Sequence, residues 1–226
     1  MKLISYAFTA SLLLTLSLDV NAAILLDYQP DANAGYGWFS IAGVGQQVSE
    51  RFTLGANATV TSVEWFGFFD GDPAATGAFT VEFFSDENGL PATSGFAVTT
   101  NGILTGTDTG LANIYNGGPI YRWETPITPV DLDGGTTYWL GVKTSSSGRL
   151  WLWSHSTPDG SNDFVVRYAD AEPWVASTPD RPSRDHQAFV LNGEYGAVPE
   201  PCSLAIFGIG AVFLVSAVLR CRNGRC

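Results

Sequence analysis

Apolar and polar residues alternate with a period of two along much of the chain between residues 23 and 197. Successive side chains of a β-strand point to opposite faces of a sheet, so this pattern predicts half-buried strands. No twelve-residue window in this region combines helical spacing with a capping residue. The alternating segments are Val48–Leu54, Val63–Phe69, Phe79–Phe83, Tyr121–Trp123, Tyr138–Val142, Trp151–Trp153, Val166–Tyr168 and Phe189–Leu191.

Turn-forming residues separate the alternating segments. In each turn a glycine follows an aspartate or asparagine, which favours chain reversal; these pairs are Asp70-Gly71, Asn88-Gly89, Asn116-Gly117, Asp133-Gly134 and Asp159-Gly160. About eight to ten short strands at this spacing predict an all-β fold, a single antiparallel β-sandwich that is jelly-roll-like. Residues 170–185 contain three prolines and are expected to form a long surface loop before the last strand.

The charge and the cysteines exclude several function classes. The 226 residues carry 22 acidic and 11 basic side chains, and residues 23–197 alone have a net charge of −13. Such an acidic chain cannot neutralise a run of phosphates, so we expect no nucleic-acid partner. No cysteine precedes Cys202, which excludes thiolate metal or redox chemistry from residues 23–197 and leaves their stability to the core.

Residues 1–22 are typical of a secretory signal peptide. Lys2 supplies a positive start, and Tyr6–Leu18 is a short apolar stretch without charge. Val20 and Ala22 then offer small residues at the −3 and −1 positions of a cleavage site, with Ala23 following. We therefore expect residues 23–197 to be exported.

The other end of the chain predicts one transmembrane helix. Ser203–Leu219 has no charged residue and would cover about 25 Å as a helix, enough for a thin bilayer. Arg220, Arg222 and Arg225 follow in the basic tail 220–226 and should stay in the cytoplasm, which places the preceding domain outside. The precursor is thus expected in the inner membrane with its domain outside the cell.

Pro199, Glu200 and Pro201 stand just before this helix and favour an extended, accessible backbone. Residues 198–226, with this motif, the glycine-bearing apolar stretch and the terminal arginines, resemble the PEP-CTERM sorting signal of Gram-negative bacteria. The arginines here are interrupted rather than contiguous. The resemblance implies recognition by exosortase, a membrane-embedded thiol transpeptidase, removal of the tail, and a role at the cell surface beside exopolysaccharide and biofilm matrix.

The middle region resembles an ectodomain type that is common among PEP-CTERM proteins. The similarity rests on four segments: Phe83–Pro91, Gly135–Leu140, Trp151–Ser154 and Ala188–Gly193. It implies a β-sandwich and no particular activity.

The residues give little support for an enzyme. There is no G-x-S-x-G motif, and nothing fixes a triad from Ser154, Ser161, Asp163 and the two histidines. We expect His155 to lie in an exposed loop and His186 to bond a neighbouring carboxylate. Glu50, Glu64 and Glu82 could line one face of a sheet for glycoside hydrolysis, although a solvated outer face explains them equally well.

Two kinds of ligand site remain as expectations. Asp70 and Asp72, and likewise Asp131 and Asp133, place carboxylates in turns where a structural calcium could bind. Trp139 points opposite to its strand neighbours, and it and Trp174 are the best candidates for exposed, glycan-stacking rings. The other strand tryptophans, Trp65, Trp123, Trp151 and Trp153, are expected to fill the core.

Taken together, these features predict a non-enzymatic, exported protein whose tail is processed by exosortase and whose domain is structural in the extracellular matrix. A surface carbohydrate-binding module, a plain single-pass anchored protein and a secreted glycoside hydrolase are the alternatives.

Overall fold

The computed structural model describes residues 22–31, 37–41, 45–71, 75–145, 150–156, 164–170, 172–176 and 186–196. Within these ranges the chain forms β-strands and no helix, which confirms the all-β prediction. The strands are β1 (Ala23–Tyr28), β2 (Gly37–Phe39), β3 (Gln47–Thr53), β4 (Ala58–Phe69), β5 (Thr76–Glu87), β6 (Leu90–Pro91), β7 (Ala97–Thr105), β8 (Thr107–Ala112), β9 (Pro119–Leu132), β10 (Thr137–Thr144), β11 (Trp151–Ser154), β12 (Phe164–Arg167), β13 (Val175–Ala176) and β14 (Phe189–Tyr195).

The strands form two antiparallel sheets. In the first sheet β4 pairs with β14, β11 and β9, while β1, β2 and β8 form its margins. The second sheet runs β13-β12-β3-β10-β5, and both β6 and β7 pair with β5. All ladders between these strands are antiparallel, as the alternating pattern predicts.

The two sheets enclose one apolar core that is rich in aromatic rings. Phe79 of β5 is fully buried and lies at its centre, with its ring centroid 5.1 Å from those of Trp65, Trp123 and Trp151. Trp151 in turn stacks on Trp153 at 6.3 Å. These four tryptophans are at most 1% exposed, so the prediction that they fill the core is confirmed.

Each sheet also carries a smaller apolar layer on its outer face. On the second sheet this layer consists of Phe84, Trp139, Val165 and Trp174. On the first sheet it includes Phe66, Phe68, Leu152 and Val190. Large side chains on both faces of a strand make its sequence close to continuously apolar, as in Trp65–Phe69 of β4.

The predicted turns at Asn88 and Asp133 are present. Asn88 and Gly89 both have positive φ, 58° and 83°, in the hairpin between β5 and β6. Such a turn matches the twist of the two strands that it joins, and asparagine followed by glycine tolerates both angles. Gly135, with a φ of 75°, serves the turn between β9 and β10.

The first and last strands pair with each other. Ala23, the first residue of β1, lies opposite Gly193 of β14, and Tyr28 lies opposite Phe189. Gly196 then donates its N–H to the carbonyl oxygen of Asn57 at 2.7 Å. Both ends of the domain therefore leave from the same end of the first sheet.

The predicted signal peptide, apart from Ala22, and the segment 203–219 lie outside the described residues. Among the residues that are described, no helix is long and apolar enough to cross a membrane.

Replacing Phe79 by alanine tests the aromatic core. We expect Phe79→Ala to lower the free energy of unfolding by about 3–5 kcal/mol, because it leaves a cavity among three tryptophans. Phe96→Ala is the matched control, since this ring is half exposed and its loss should cost less than about 1 kcal/mol. Urea titration of the full chain, followed by tryptophan fluorescence, measures both changes, and equal effects would contradict the description of the core.

Candidate functional site

A carboxylate is buried between the sheets. Glu50 of β3 is 0% exposed, and its Oε1 lies 2.6 Å from Nδ1 of His186. Its other oxygen, Oε2, accepts the backbone N–H of Gln187 at 2.9 Å. The ring of Tyr28 stacks on the imidazole of His186 with a centroid distance of 4.3 Å. We call Glu50, His186, Gln187 and Tyr28 the Glu50 cluster.

The position of Glu50 follows from the alternation of its strand. Val48 and Phe52, two residues before and after it, both belong to the core, so Glu50 shares their inward face. A charge on that face needs a hydrogen-bonded partner, because desolvating an unpaired carboxylate is very costly. His186 supplies this partner from the segment just before β14, across the gap between the sheets.

These positions correct two expectations and support a third. His155 is 5% exposed, so the expectation of an exposed loop is wrong; it lies opposite Gln187 in an antiparallel bridge. His186 does bond a carboxylate, and this carboxylate belongs to Glu50, which is distant in sequence. Glu50 does not share a solvated face with Glu64 and Glu82. The sequence does indicate this burial, because Glu50 lies on the same side of the alternating pattern as the core residues Val48 and Phe52.

A second charged cluster lies on the outer face of the second sheet. Lys143 of β10 contacts Asp170 at 2.8 Å and Glu82 at 3.4 Å. Arg167 of β12 lies 3.4 Å from Asp170 and 3.9 Å from Glu82. Gln47 of β3 hydrogen-bonds to both Asp170 and Arg167. We call Gln47, Glu82, Lys143, Arg167 and Asp170 the Arg167 cluster.

The Arg167 cluster fastens the chain after β12 onto the sheet. The guanidinium of Arg167 is buried, lies 4.3 Å from the ring centroid of Trp174, and donates to the carbonyl oxygen of Thr93 at 3.0 Å. Burial lowers the pKa of Arg167, while Glu82 and Asp170 oppose that shift. Hydrogen bonds from Gln47 and Lys143 lower the pKa of Asp170 below its ordinary value. Every charge in this cluster thus has an opposite partner.

The expectation that Trp139 and Trp174 are exposed is wrong. Trp139 does point away from the core, as its phase predicts, but it is only 2% exposed, and its Nε1 donates to Asp86 at 2.9 Å. Trp174 is 4% exposed and packs edge-on against Phe84. Both rings lie in the outer apolar layer, to which the segment after β12 contributes Trp174. Neither presents a face on which a sugar could stack.

The two pairs of turn aspartates lie far apart. Asp70 follows the end of β4, whereas Asp131 lies opposite Thr59 at its beginning, roughly 33 Å away along the strand. Oδ1 of Asp131 accepts the hydroxyl of Thr59 at 2.6 Å, and the N–H of Asp133 donates to the hydroxyl of Tyr138 at 3.1 Å. Asp72 lies outside the described residues. Among the described residues, no three His, Cys, Asp or Glu side chains are grouped closely enough to hold a metal ion.

Two shallow cavities open on the described surface. One, of about 260 Å³, lies between Phe68 and Pro119 beside Asn113. The amide of Asn113 is used in its own turn, because it donates to Gly118 and accepts from Asn116. The other, a groove of about 430 Å³, separates residues 96–99 at the start of β7 from residues 128–131 of β9.

The predicted sorting residues Pro199, Glu200 and Pro201 and the arginines at 220, 222 and 225 lie outside the described residues. Their predicted roles therefore rest on the sequence.

Comparisons with known proteins give a distant likeness to one solved structure. No protein-family model matches the chain, and no curated protein matches it. Among solved structures, the chain is similar to a CocE/NonD family hydrolase from Staphylococcus aureus, with 12% identity and a TM-score of 0.31. The match covers 78% of this chain and 37% of that one. At this TM-score the likeness carries no argument about function.

Removing the carboxylate of Glu50 tests the buried cluster. We expect Glu50→Ala to lower the free energy of unfolding by about 3–5 kcal/mol, because His186 and the Gln187 N–H lose their buried acceptor. Glu194→Ala is the control: Glu194 is exposed in β14, and its loss should cost about 1 kcal/mol or less. Urea unfolding of the two full-chain variants decides, and similar midpoints would contradict a buried pair.

The pKa of Asp170 predicts a pH-dependent contribution to stability. The pKa of Asp170 is lower in the folded protein than its ordinary value of 3.8. Asp170 therefore stabilises the fold at pH values above 3.8, and this stabilisation is lost as the pH falls below that value. Asp170→Asn should therefore unfold more easily than the wild type at pH 6, and the difference should shrink below about pH 4. Thermal melts of both proteins across this range test it; a difference that does not change with pH would contradict the assignment.

Proposed function

We propose that this chain is the precursor of an exported, non-enzymatic β-sandwich protein of the cell surface or extracellular matrix. In this proposal residues 1–22 direct export and residues 198–226 form a PEP-CTERM sorting signal. Exosortase recognises Pro199, Glu200 and Pro201 and removes the tail. The connections between the strands are jelly-roll-like, and the domain acts structurally within exopolysaccharide or biofilm matrix.

The observation that carries the proposal is the order of three features at the carboxyl end. A proline-flanked glutamate, a charge-free stretch of 18 residues from Cys202 to Leu219 and a cluster of arginines follow one another directly. The apolar stretch favours lipid, and the guanidinium groups behind it resist transfer across the bilayer. The same orientation is required by the apolar segment at the amino end.

The fold of residues 23–196 supports processing at both ends. β1 begins at Ala23, the residue after the predicted cleavage site, and β14 ends at Tyr195, shortly before Pro199. The described domain is held by an aromatic core and backbone ladders, without a disulfide, since no cysteine precedes Cys202. Cleavage outside this range would remove none of the strands that the structure describes.

The buried histidines also bear on the choice between a structural and a catalytic domain. His186 is engaged with Glu50 inside the fold, where Glu50 is fully buried, while Glu64 lies in the other sheet and Glu82 pairs with Lys143 on the outer face of the second sheet. These positions favour a structural role for the glutamates over a pair that faces a cleft. A structural role for Glu50 and His186 does not require these buried side chains to be reached by solvent or substrate.

Mass spectrometry of the full chain, expressed in a Gram-negative host with an exosortase and in the same host without it, tests the proposal. With exosortase, we expect the mature protein to begin near Ala23 and to lack the peptides after Pro201. Without exosortase, the tail should remain and the protein should fractionate with the inner membrane.

Glu200→Ala should abolish removal of the tail, while Glu194→Ala, an exposed residue in β14, should leave it unchanged. A tail that persists on exported protein in both hosts would instead indicate a plain single-pass anchor. A precursor uncut at both ends in the cytosol would contradict export altogether.

A further inference from the structure

The outer face of β7 is exposed and apolar. Val98 is 55% exposed and Ile103 is 79% exposed, the highest value among the large apolar side chains that the structure describes. Both residues lie opposite outward-facing positions of β5, Glu82 and Ala78 respectively. Between them, Thr100 lies opposite Thr80, with the two hydroxyl oxygens 3.3 Å apart. We call Val98, Thr100, Ile103 and Thr80 the β7 face.

This surface is free of net charge in an otherwise acidic domain. Residues 88–107 contain no Asp, Glu, Lys or Arg. The nearest carboxylate across the ladder, that of Glu82, is paired with Lys143 at 3.4 Å and lies 3.9 Å from Arg167. The remainder of residues 23–197 carries the whole net charge of −13.

The face of β7 is more accessible than its edge. Near the middle of the strand, Oδ1 of Asn101 accepts the hydroxyl of Thr125 on β9 at 2.9 Å. At the end of the strand, Gly106 lies so close to Trp123 that an added Cβ would be 2.7 Å from the indole. Contacts with β9 therefore restrict backbone pairing along the second half of this edge, while the side chains of Val98 and Ile103 remain exposed, Val98 beside the groove that separates β7 from residues 128–131 of β9.

We propose that the β7 face is a self-association surface, on which a second copy of this chain docks through its own β7 face. Two domains with a charge of −13 each repel one another, so their contact is least unfavourable where both surfaces lack carboxylates. A cationic partner would gain more from the acidic remainder of the surface. An anionic polysaccharide would gain nothing from a surface without cations.

A two-fold axis across the middle of β7 makes the contact self-complementary. The two β7 strands then run antiparallel, and Val98 of each copy lies near Ile103 of the other. The contact joins apolar side chains to apolar side chains and threonine hydroxyls to threonine hydroxyls. Edge strands of monomeric proteins usually carry lysine or other charges on such positions, and this one does not. The inference does not depend on the proposed export or processing.

Sedimentation of the full chain in detergent, with variants that place charge on this face, tests the proposal. We expect wild-type protein to be in monomer–dimer equilibrium. Val98→Lys together with Ile103→Lys should raise the dissociation constant at least roughly tenfold, because each lysine then meets a lysine of the other copy. Both residues are exposed, so the thermal midpoint of the variant should stay close to that of the wild type.

Ile24→Lys together with Val175→Lys is the matched control, since these side chains are also exposed, at 60% and 44%, on strands far from β7 in the sheet order. This variant should dimerise like the wild type. A monomeric wild type would overturn the proposal and leave the face to another partner. Dimerisation that survives the β7 substitutions, or that both double variants abolish equally, would overturn it as well.

Discussion

Burial of aromatic side chains between two sheets is the interaction on which the rest of this structure depends. A domain without disulfides has to gain its stability from apolar surface removed from water. Phe79 meets Trp65, Trp123 and Trp151 at centroid distances near 5 Å, which joins β5 of one sheet to β4, β9 and β11 of the other. These contacts hold the sheets together and set the face of each strand that turns inward.

That inward face also explains the Glu50 cluster. A strand whose inward positions are otherwise Val48 and Phe52 must bury whatever lies between them, and here it is a carboxylate. The fold satisfies its oxygens with the His186 ring and the Gln187 N–H. A buried pair of this kind contributes less to stability than an apolar replacement would, but removing one member leaves the other unpaired. It thereby ties the chain before β14 to one position on β3.

Alternation of residue type in the sequence was sufficient to predict eight segments of the two sheets, but not short strands such as β2, whose three residues show no alternation. The eight predicted segments all overlap strands, although β12 runs from Phe164 to Arg167 and excludes Tyr168, and β3 ends at Thr53, one residue before Leu54. β7 was not predicted, because Ala97–Thr105 is rich in threonine and has no aromatic residue. The prediction that Trp139 points away from the core was correct. Its burial, however, depends on Trp174 in the segment after β12, and contacts between residues distant in sequence leave no local signal. The burial of Glu50 did have a local signal, since Glu50 alternates in step with the core residues Val48 and Phe52.

The positions of the few cations determine where the surface of the second sheet is free of net charge. Cations are scarce, and two of them, Lys143 and Arg167, are both used to neutralise Glu82 and Asp170 on the same outer face. Because these two cations pair with the two carboxylates, the net electrostatic field at the neighbouring β7 strand is small, although the domain as a whole is strongly anionic. Elsewhere the acidic surface keeps molecules apart, so the uncharged strand is the part of the second sheet where apolar contact meets the least electrostatic opposition. The same few cations that fasten the segment after β12 thus leave β7 the most favourable place for association.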